Sequence, residues 1–337
     1  MTTGQGAAIF GCDGLALTAK ERDFFRDYDP FGFIIFARNV DTPDQLRRLT
    51  ADLRDAVGRD APILIDQEGG RVQRLRPPHW RDWQPPLETV VRAGHGAARA
   101  MALRSMLIAT ELRAVGIDAN CAPIADIASA ATHPFLYNRC YGHDAAGVTS
   151  IARAVADAHL AMGVLPVLKH MPGHGRSAND THHDLPTVTT DRATLTATDF
   201  APFRALADLP MAMTAHIIFA AYDSTLPATQ SPEMIRVIRH EIGFAGLLLT
   251  DDLNMQALSG SLIDRTSRSI AAGCDIALHC KGDFDQMQDV ALAAGIMSAA
   301  THDRAQAALA VRKPPQTLDI AALQAEFSAL LDEGAHG

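Results

Sequence analysis

The 337-residue chain reads as a single α/β domain, residues 1–337, folded as a (β/α)8 TIM-type barrel with extra C-terminal helices. Three observations predict this. Eight short apolar runs recur along the chain, helical periodicity fills the gaps between them, and at five junctions a glycine stands between a helix and the next run.

The apolar runs lie at 7–11, 33–36, 62–66, 117–121, 164–168, 211–215, 246–250 and 275–279. They lack clean alternation, as expected of strands covered on both faces. Eight such units within about 280 residues suit one barrel. An open doubly wound sheet is the competing architecture, but no G-x-G-x-x-G follows the first run. The junction glycines are Gly58, Gly116, Gly163, Gly243 and Gly273, each placed to end a helix in the left-handed conformation.

The helices have the right period. Leu46, Leu49, Leu53 and Val57 follow Thr42-Pro43, a cap with proline in the first turn. Met101, Ser105, Ile108, Leu112 and Val115 precede Gly116, and Ile151, Val155, Ala158 and Met162 precede Gly163. Ser231-Pro232 opens another helix carrying Ile235, Ile238 and Ile242. The tail, roughly 283–334, reads as terminal helices around Pro314-Pro315.

Composition narrows the function. The 39 acidic and 30 basic residues leave a net charge of −9, which gives no general pull on nucleic acid or anionic lipid. No apolar run approaches the roughly 18 residues of a membrane span, and Met1 to Phe10 does not read as a secretory signal. Cys12, Cys121, Cys140, Cys274 and Cys280 form no C-x-x-C pair, so buried thiols in a reducing compartment are expected, with the cytoplasm as location.

Polar groups cluster just after the runs. Asp66-Gln-Glu-Gly-Gly-Arg71-Val-Gln-Arg74 follows the third, Ala122-Pro123-Ile-Ala-Asp126 the fourth, and Lys169-His170-Met-Pro-Gly173-His174-Gly175 the fifth. His216 follows the sixth and Asp251-Asp252-Leu-Asn254 the seventh. A barrel places its site at the carboxyl ends of its strands, so these segments converge on one mouth. Asp180 and His182, two apart, fall on one side of an extended stretch, and a carboxylate beside an imidazole makes an acid or base that works near neutral pH. Of Asp251 and Asp252, one should face the mouth and the other the wall; a helix N-cap explains one of them but not both. A metal site built on His170, His174, His182, His183 and Asp184 is a competing reading, opposed by the Pro-Gly that breaks any helix between His170 and His174. No metal and no cofactor are expected.

Together these stretches resemble glycoside hydrolase family 3, and within it the single-domain bacterial β-N-acetylglucosaminidases of cell-wall recycling. The matching segments are Asp66–Arg74, Asn120–Asp126, Lys169–Gly175 with Asp180-Thr-His182, and Thr250–Met255, in family order over about 190 residues. The resemblance implies retaining hydrolysis of terminal β-linked N-acetylglucosamine from muropeptides. Asp251 would be the nucleophile and His182 the general acid/base, on a mobile loop and assisted by Asp180. Asp66, Arg74, Arg139, Lys169 and His170 would hold the sugar. Arg139 stands in Asn138-Arg-Cys-Tyr-Gly142, where the family shows an Arg-Ser-Phe-like stretch.

Larger relatives place a glutamate on a second domain, for which no length is expected after residue 290. Trp80 and Trp83 are expected to pack the Asp66 loop onto the barrel rather than to stack on sugar. The expected partner is a small amino-sugar or muropeptide substrate, with no nucleic acid and no membrane, and the chain is expected to be a monomer. Three rivals remain: a metal-dependent barrel hydrolase using His170, His174, His182 and Asp251, a non-catalytic amino-sugar-binding protein, and an enzyme passing the sugar to phosphate instead of water.

Overall fold

The computed structural model describes residues 2–177 and 184–334. Eight parallel strands form the barrel: β1 Gly6–Gly11, β2 Pro30–Ile35, β3 Ile63–Ile65, β4 Ala119–Asn120, β5 Leu165–Met171, β6 Met211–Thr214, β7 Leu247–Leu249 and β8 Ala277–His279. Their hydrogen-bonded order is β7-β6-β5-β4-β3-β2-β1-β8, and a Leu249–Ile276 bridge joins the two ends. Representative registers are Ala8 to Ala277, Phe33 to Ile63 and Leu247 to Met211. Thr250 completes the closure: its N–H donates to the Ile276 carbonyl at 3.0 Å and its Oγ1 accepts the Leu278 N–H at 2.9 Å.

Both faces of the strands are buried, which explains their unbroken apolar runs. Ile9, Leu64, Val167, Met213, Leu249 and Leu278 fill the interior, closed by Ala305 and Leu309 of the helix Ala299–Ala310. Phe10, Phe33, Ile35, Ile63 and Ile65 face outwards against Leu46, Leu49 and Leu53 of the helix Pro43–Val57. That helix begins as its sequence dictates, with Thr42 Oγ1 accepting the Gln45 N–H at 3.2 Å.

All five junction glycines have positive φ. Gly163, at +68°, is also sterically required, because a Cβ there would collide with the Lys313 carbonyl oxygen.

The observed strands are mostly a little shorter than the apolar runs, and two extend well beyond them. β2 begins at Pro30, not 33, because Asp29 itself ends the preceding helix in a left-handed turn (φ 51°) and delivers the chain straight into the sheet. β5 runs on to Met171, so Lys169 and His170 lie within the strand rather than after it. Ser231 caps a helix at Pro232–Arg236 as expected, but residues Val237–Ile242 continue it as a wider π-type turn.

The base of the barrel is tied by Asp118. Its Oδ2 accepts from Arg54 at 2.9 Å and from Arg312 of the tail, and its Oδ1 accepts the Ile63 N–H at 2.8 Å. The last helix, Ile320–Gly334, lies against Pro86–Ala93 and Ala97–Arg113, with the Phe327 ring 5.9 Å from Trp83. Trp83 is buried and packs the loop, as expected. All five cysteines are buried free thiols. Among the described residues no helix is long and apolar enough to cross a membrane.

Candidate active site

The carboxyl ends of the strands surround a cavity of about 200 Å³. Asp66, Arg74, Arg139, Lys169, His170 and Asp251 all line it. Asp180 and His182 lie outside the described residues, as does His183.

Asp66 follows β3 directly. The chain then folds into a small hairpin, Gln67–Gly69 against Val72–Gln73, which returns Arg74 to the mouth. Two buried amides hold this hairpin. Asn120 Oδ1 accepts the Gln67 N–H at 3.0 Å, and Gln67 Oε1 accepts the N–H groups of Arg74 and Leu75 at 2.9 and 3.0 Å. Arg104, buried beneath, donates to the Glu68 carbonyl at 2.6 Å and to the Gln84 carbonyl. The turn is glycine-specific, because a Cβ on Gly69 (φ 107°) would strike the Arg104 guanidinium.

The charged groups interlock. Lys169 Nζ donates to Asp66 Oδ1 at 2.9 Å and lies 2.7 Å from Glu68 Oε1. Arg74 donates to Asp66 Oδ2 at 2.9 Å, and Arg139 holds Glu68 through two bonds of 2.8 and 2.9 Å. Burial alone would raise both carboxyl pKa values. The cations outweigh it, Lys169 and Arg74 keeping Asp66 far below the usual range and Arg139 and Lys169 holding Glu68 at about 2. Burial likewise opposes the charge on Lys169, and Asp66 and Glu68 more than restore it. The cluster is therefore ionised at neutral pH, three cations to two carboxylates.

Some hydrogen-bonding capacity is left for a ligand. An ammonium has three N–H donors, and Lys169 gives one to Asp66 while pairing by charge with Glu68. The buried Arg74 Nε finds no acceptor among the described residues. Apolar surface completes the wall: Phe36 lies under the Arg74 guanidinium at 4.9 Å, and Phe135 under Arg71 at 3.5 Å.

Asp251 lies on the turn after β7. Burial raises its pKa, but the surrounding groups, among them the Asp252 N–H and Lys169, bring it below the ordinary value, leaving a carboxylate at neutral pH. Asp252 borders the same cavity, yet its Oδ1 accepts from the backbone N–H groups of Asn254 and Cys280, each at 3.2 Å. It staples the turn to the end of β8. No helix follows at Leu253, and the next one, Leu262–Ala272, is capped by Ser261, so the N-cap reading of the pair is set aside.

His170 and His174 do approach, with ring centroids 5.3 Å apart, although no helix joins them. What gathers them is Asp126, bonded to His170 Nδ1 and to the His174 N–H at 2.7 Å each. Among the described residues no group of three or more His, Cys, Asp and Glu side chains is arranged to hold a metal ion.

Glu68 stands unremarked inside the Asp66–Arg74 segment, and Asp126 and His216 are noted in the sequence only as polar residues following their strands, with no role assigned to any of the three. For Glu68 a signal existed. It is two residues from Asp66, so an extended chain turns both to one side.

Residues 12–310 match the Glycosyl hydrolase family 3 N terminal domain. The chain belongs to glycoside hydrolase family 3. As a family 3 member it is a glycoside hydrolase. A β-hexosaminidase of Alkalilimnicola ehrlichii is 38% identical over 286 residues, 82% of this chain and 80% of that protein. One from Methylococcus capsulatus is 34% identical, covering 81% and 82%. Among solved structures, NagZ from Neisseria gonorrhoeae superposes with a TM-score of 0.83 at 28% identity, covering 99% of this chain and 98% of that one, and has been solved with N-trifluoroacetyl-D-glucosamine.

Proposed function

We propose that this family 3 chain is one catalytic domain that removes terminal non-reducing β-linked N-acetylglucosamine with retention of configuration. Its natural substrates are peptidoglycan-derived muropeptides in cell-wall recycling, and it works as a cytoplasmic monomer. The observation that carries this reading is an ionised Asp251 on the wall of a cavity that Asp66, Lys169 and Arg139 of the charged cluster also line. The β-hexosaminidase relatives and the glucosamine-analogue complex of the Neisseria protein support the sugar class.

Asp66, Arg74, Arg139, Lys169 and His170 bind the sugar. Charged groups with directed lone pairs and N–H donors suit hydroxyls, and the unspent donors of Lys169 and Arg74 are available to them. Asp251 attacks the anomeric carbon as the glycosidic C–O bond breaks, and His182, oriented by Asp180, gives its proton to the departing oxygen. Water then attacks the same carbon, His182 takes its proton, and the Asp251 carboxylate is released. Retaining enzymes ordinarily use two carboxyl groups about 5–5.5 Å apart. An imidazole in place of one needs little tuning, because it titrates near 6.5 unaided.

Trapping with an activated 5-fluoro N-acetylglucosaminyl donor followed by peptide mass spectrometry tests the reading. The adduct is expected on Asp251, and Asp251→Ala is expected to abolish cleavage of an aryl N-acetyl-β-glucosaminide. A label elsewhere, or substantial activity in Asp251→Ala, overturns the assignment.

A further inference from the structure

Just beyond the end of β6 stands a histidine that does not line the cavity and is nevertheless bonded to the turn carrying Asp251. His216 is wholly buried. Its Nδ1 lies 2.7 Å from Thr229 Oγ1 and its Nε2 lies 3.1 Å from the backbone oxygen of Asp252. A carbonyl oxygen only accepts, so Nε2 carries the proton. Burial lowers the pKa of the imidazole and keeps it neutral at neutral pH, which leaves Nδ1 bare to accept from the Thr229 hydroxyl. Thr229 has one proton to give, and Nδ1 is nearer than its other neighbour, the Ala215 carbonyl at 3.1 Å. Thr214 Oγ1, 2.8 Å away, then donates to Thr229. The donor direction runs from Thr214 through Thr229 and His216 to the Asp252 carbonyl.

Both backbone groups of Asp252 are thereby engaged. Its carbonyl accepts from His216, and its N–H donates to Asp251 Oδ1 at 2.8 Å. One oxygen of Asp251 is held by the turn, and the turn is held by His216. The sugar-binding residues Asp66, Arg74, Arg139, Lys169 and His170 come from β5 and from the segments after β3 and β4, and none belongs to this chain of bonds.

We propose that His216 is a positioning residue: its Nε2–H fixes the Asp251–Asp252 turn and so aims the remaining oxygen of Asp251 at the anomeric carbon. The proposal rests on Asp251 being the nucleophile. A displaced nucleophile costs rate through lost orientation, whereas sugar binding, which depends on other strands, is spared.

The test uses the full chain with an aryl N-acetyl-β-glucosaminide as substrate and N-acetylglucosamine as competitive inhibitor. His216→Phe keeps the ring's bulk and removes both hydrogen bonds. It is expected to lower kcat about 100-fold while the inhibition constant stays within about threefold. His216→Gln returns an N–H near the Nε2 position and is expected to recover at least about tenfold of that loss. Thr229→Val leaves the imidazole but removes its hydroxyl donor, with kcat about three- to tenfold lower.

A wild-type kcat in His216→Phe, or losses of kcat and inhibitor affinity in step with no recovery in His216→Gln, overturns the proposal. Should His216→Phe fail to fold by circular dichroism, Thr229→Val decides: a wild-type kcat there overturns the proposal, and the expected loss with unchanged inhibition supports it. Asp251→Ala in the same series separates the two readings. If it is inactive and the other variants are unaffected, only the role of His216 falls, whereas an active Asp251→Ala overturns the catalytic reading itself.

Discussion

Asp126 Oδ2 lies 2.7 Å from Nδ1 of His170, and both groups are buried. Burial raises the Asp126 pKa, but His170 and His174 outweigh it and keep the carboxylate charged. A charged carboxylate needs a donor, so Nδ1 carries a proton and Nε2 is the ring nitrogen available to a ligand. Asp126→Ala frees both the ring and the His174 backbone. It is expected to lower kcat/KM about 10- to 100-fold. Steady-state kinetics on an aryl glycoside check this, and an unchanged kcat/KM would show that the pair is ornamental.

Glu68 is the buried hub between Arg139 and Lys169. Glu68→Gln keeps the shape and removes the charge, leaving Asp66 alone against three cations. Breaking one partner of a buried ion network typically costs about 3–5 kcal/mol. Urea denaturation is expected to show a loss of that size together with a raised KM, and a loss under about 1 kcal/mol would contradict it.

His159 couples stability to pH. It is neutral, with Nδ1 2.8 Å from the Val155 carbonyl and Nε2 3.0 Å from Asn120 Nδ2, and burial lowers its pKa to about 4. Below about 6.5 the unfolded chain takes up a proton that the folded chain refuses, so stability falls as pH drops towards 4. Between pH 7 and 5 this group accounts for about 2 kcal/mol. His159→Gln is expected to be less stable at pH 7 but to show a flatter fall in Tm between pH 7 and 5. An unaltered slope would exclude His159 as the titrating group.

The leaving group reports on His182. As general acid it matters most where the departing oxygen is a poor leaving group. His182→Ala should therefore lose far more activity on alkyl than on nitrophenyl N-acetyl-β-glucosaminides. Equal losses across a leaving-group series would remove the acid role.

The barrel was legible because each strand is an apolar run, five of them delivered by a glycine, and the residue that leaves the run is at the mouth. Asp66, Lys169, His170 and Asp251 could be placed this way. Arg139 follows a four-residue helix, Pro134–Tyr137, and only the resemblance pointed to it. Partnerships were beyond reach. Glu68 meets an arginine 71 positions away, and Asp126 a histidine 44 away, so neither pair has a local signature. The π-type turn at Val237–Ile242 was hidden too, since Ile235, Ile238 and Ile242 keep helical spacing through it. Between β5 and β6 the helices Arg192–Ala197 and Ala201–Ala205 are too short to show a period.

Burial of the five cysteines has a practical side. It pushes the thiols of Cys12 and Cys274 up to about 12, and those of Cys121, Cys140 and Cys280 well above their ordinary value. Thiolate is the species that reacts, so at neutral pH the native chain is expected to label slowly with maleimides, which a timed labelling assay checks. A single cysteine introduced at Val91, 69% exposed on an outer helix, would take up a fluorophore against that quiet background, with no prior removal of the native thiols.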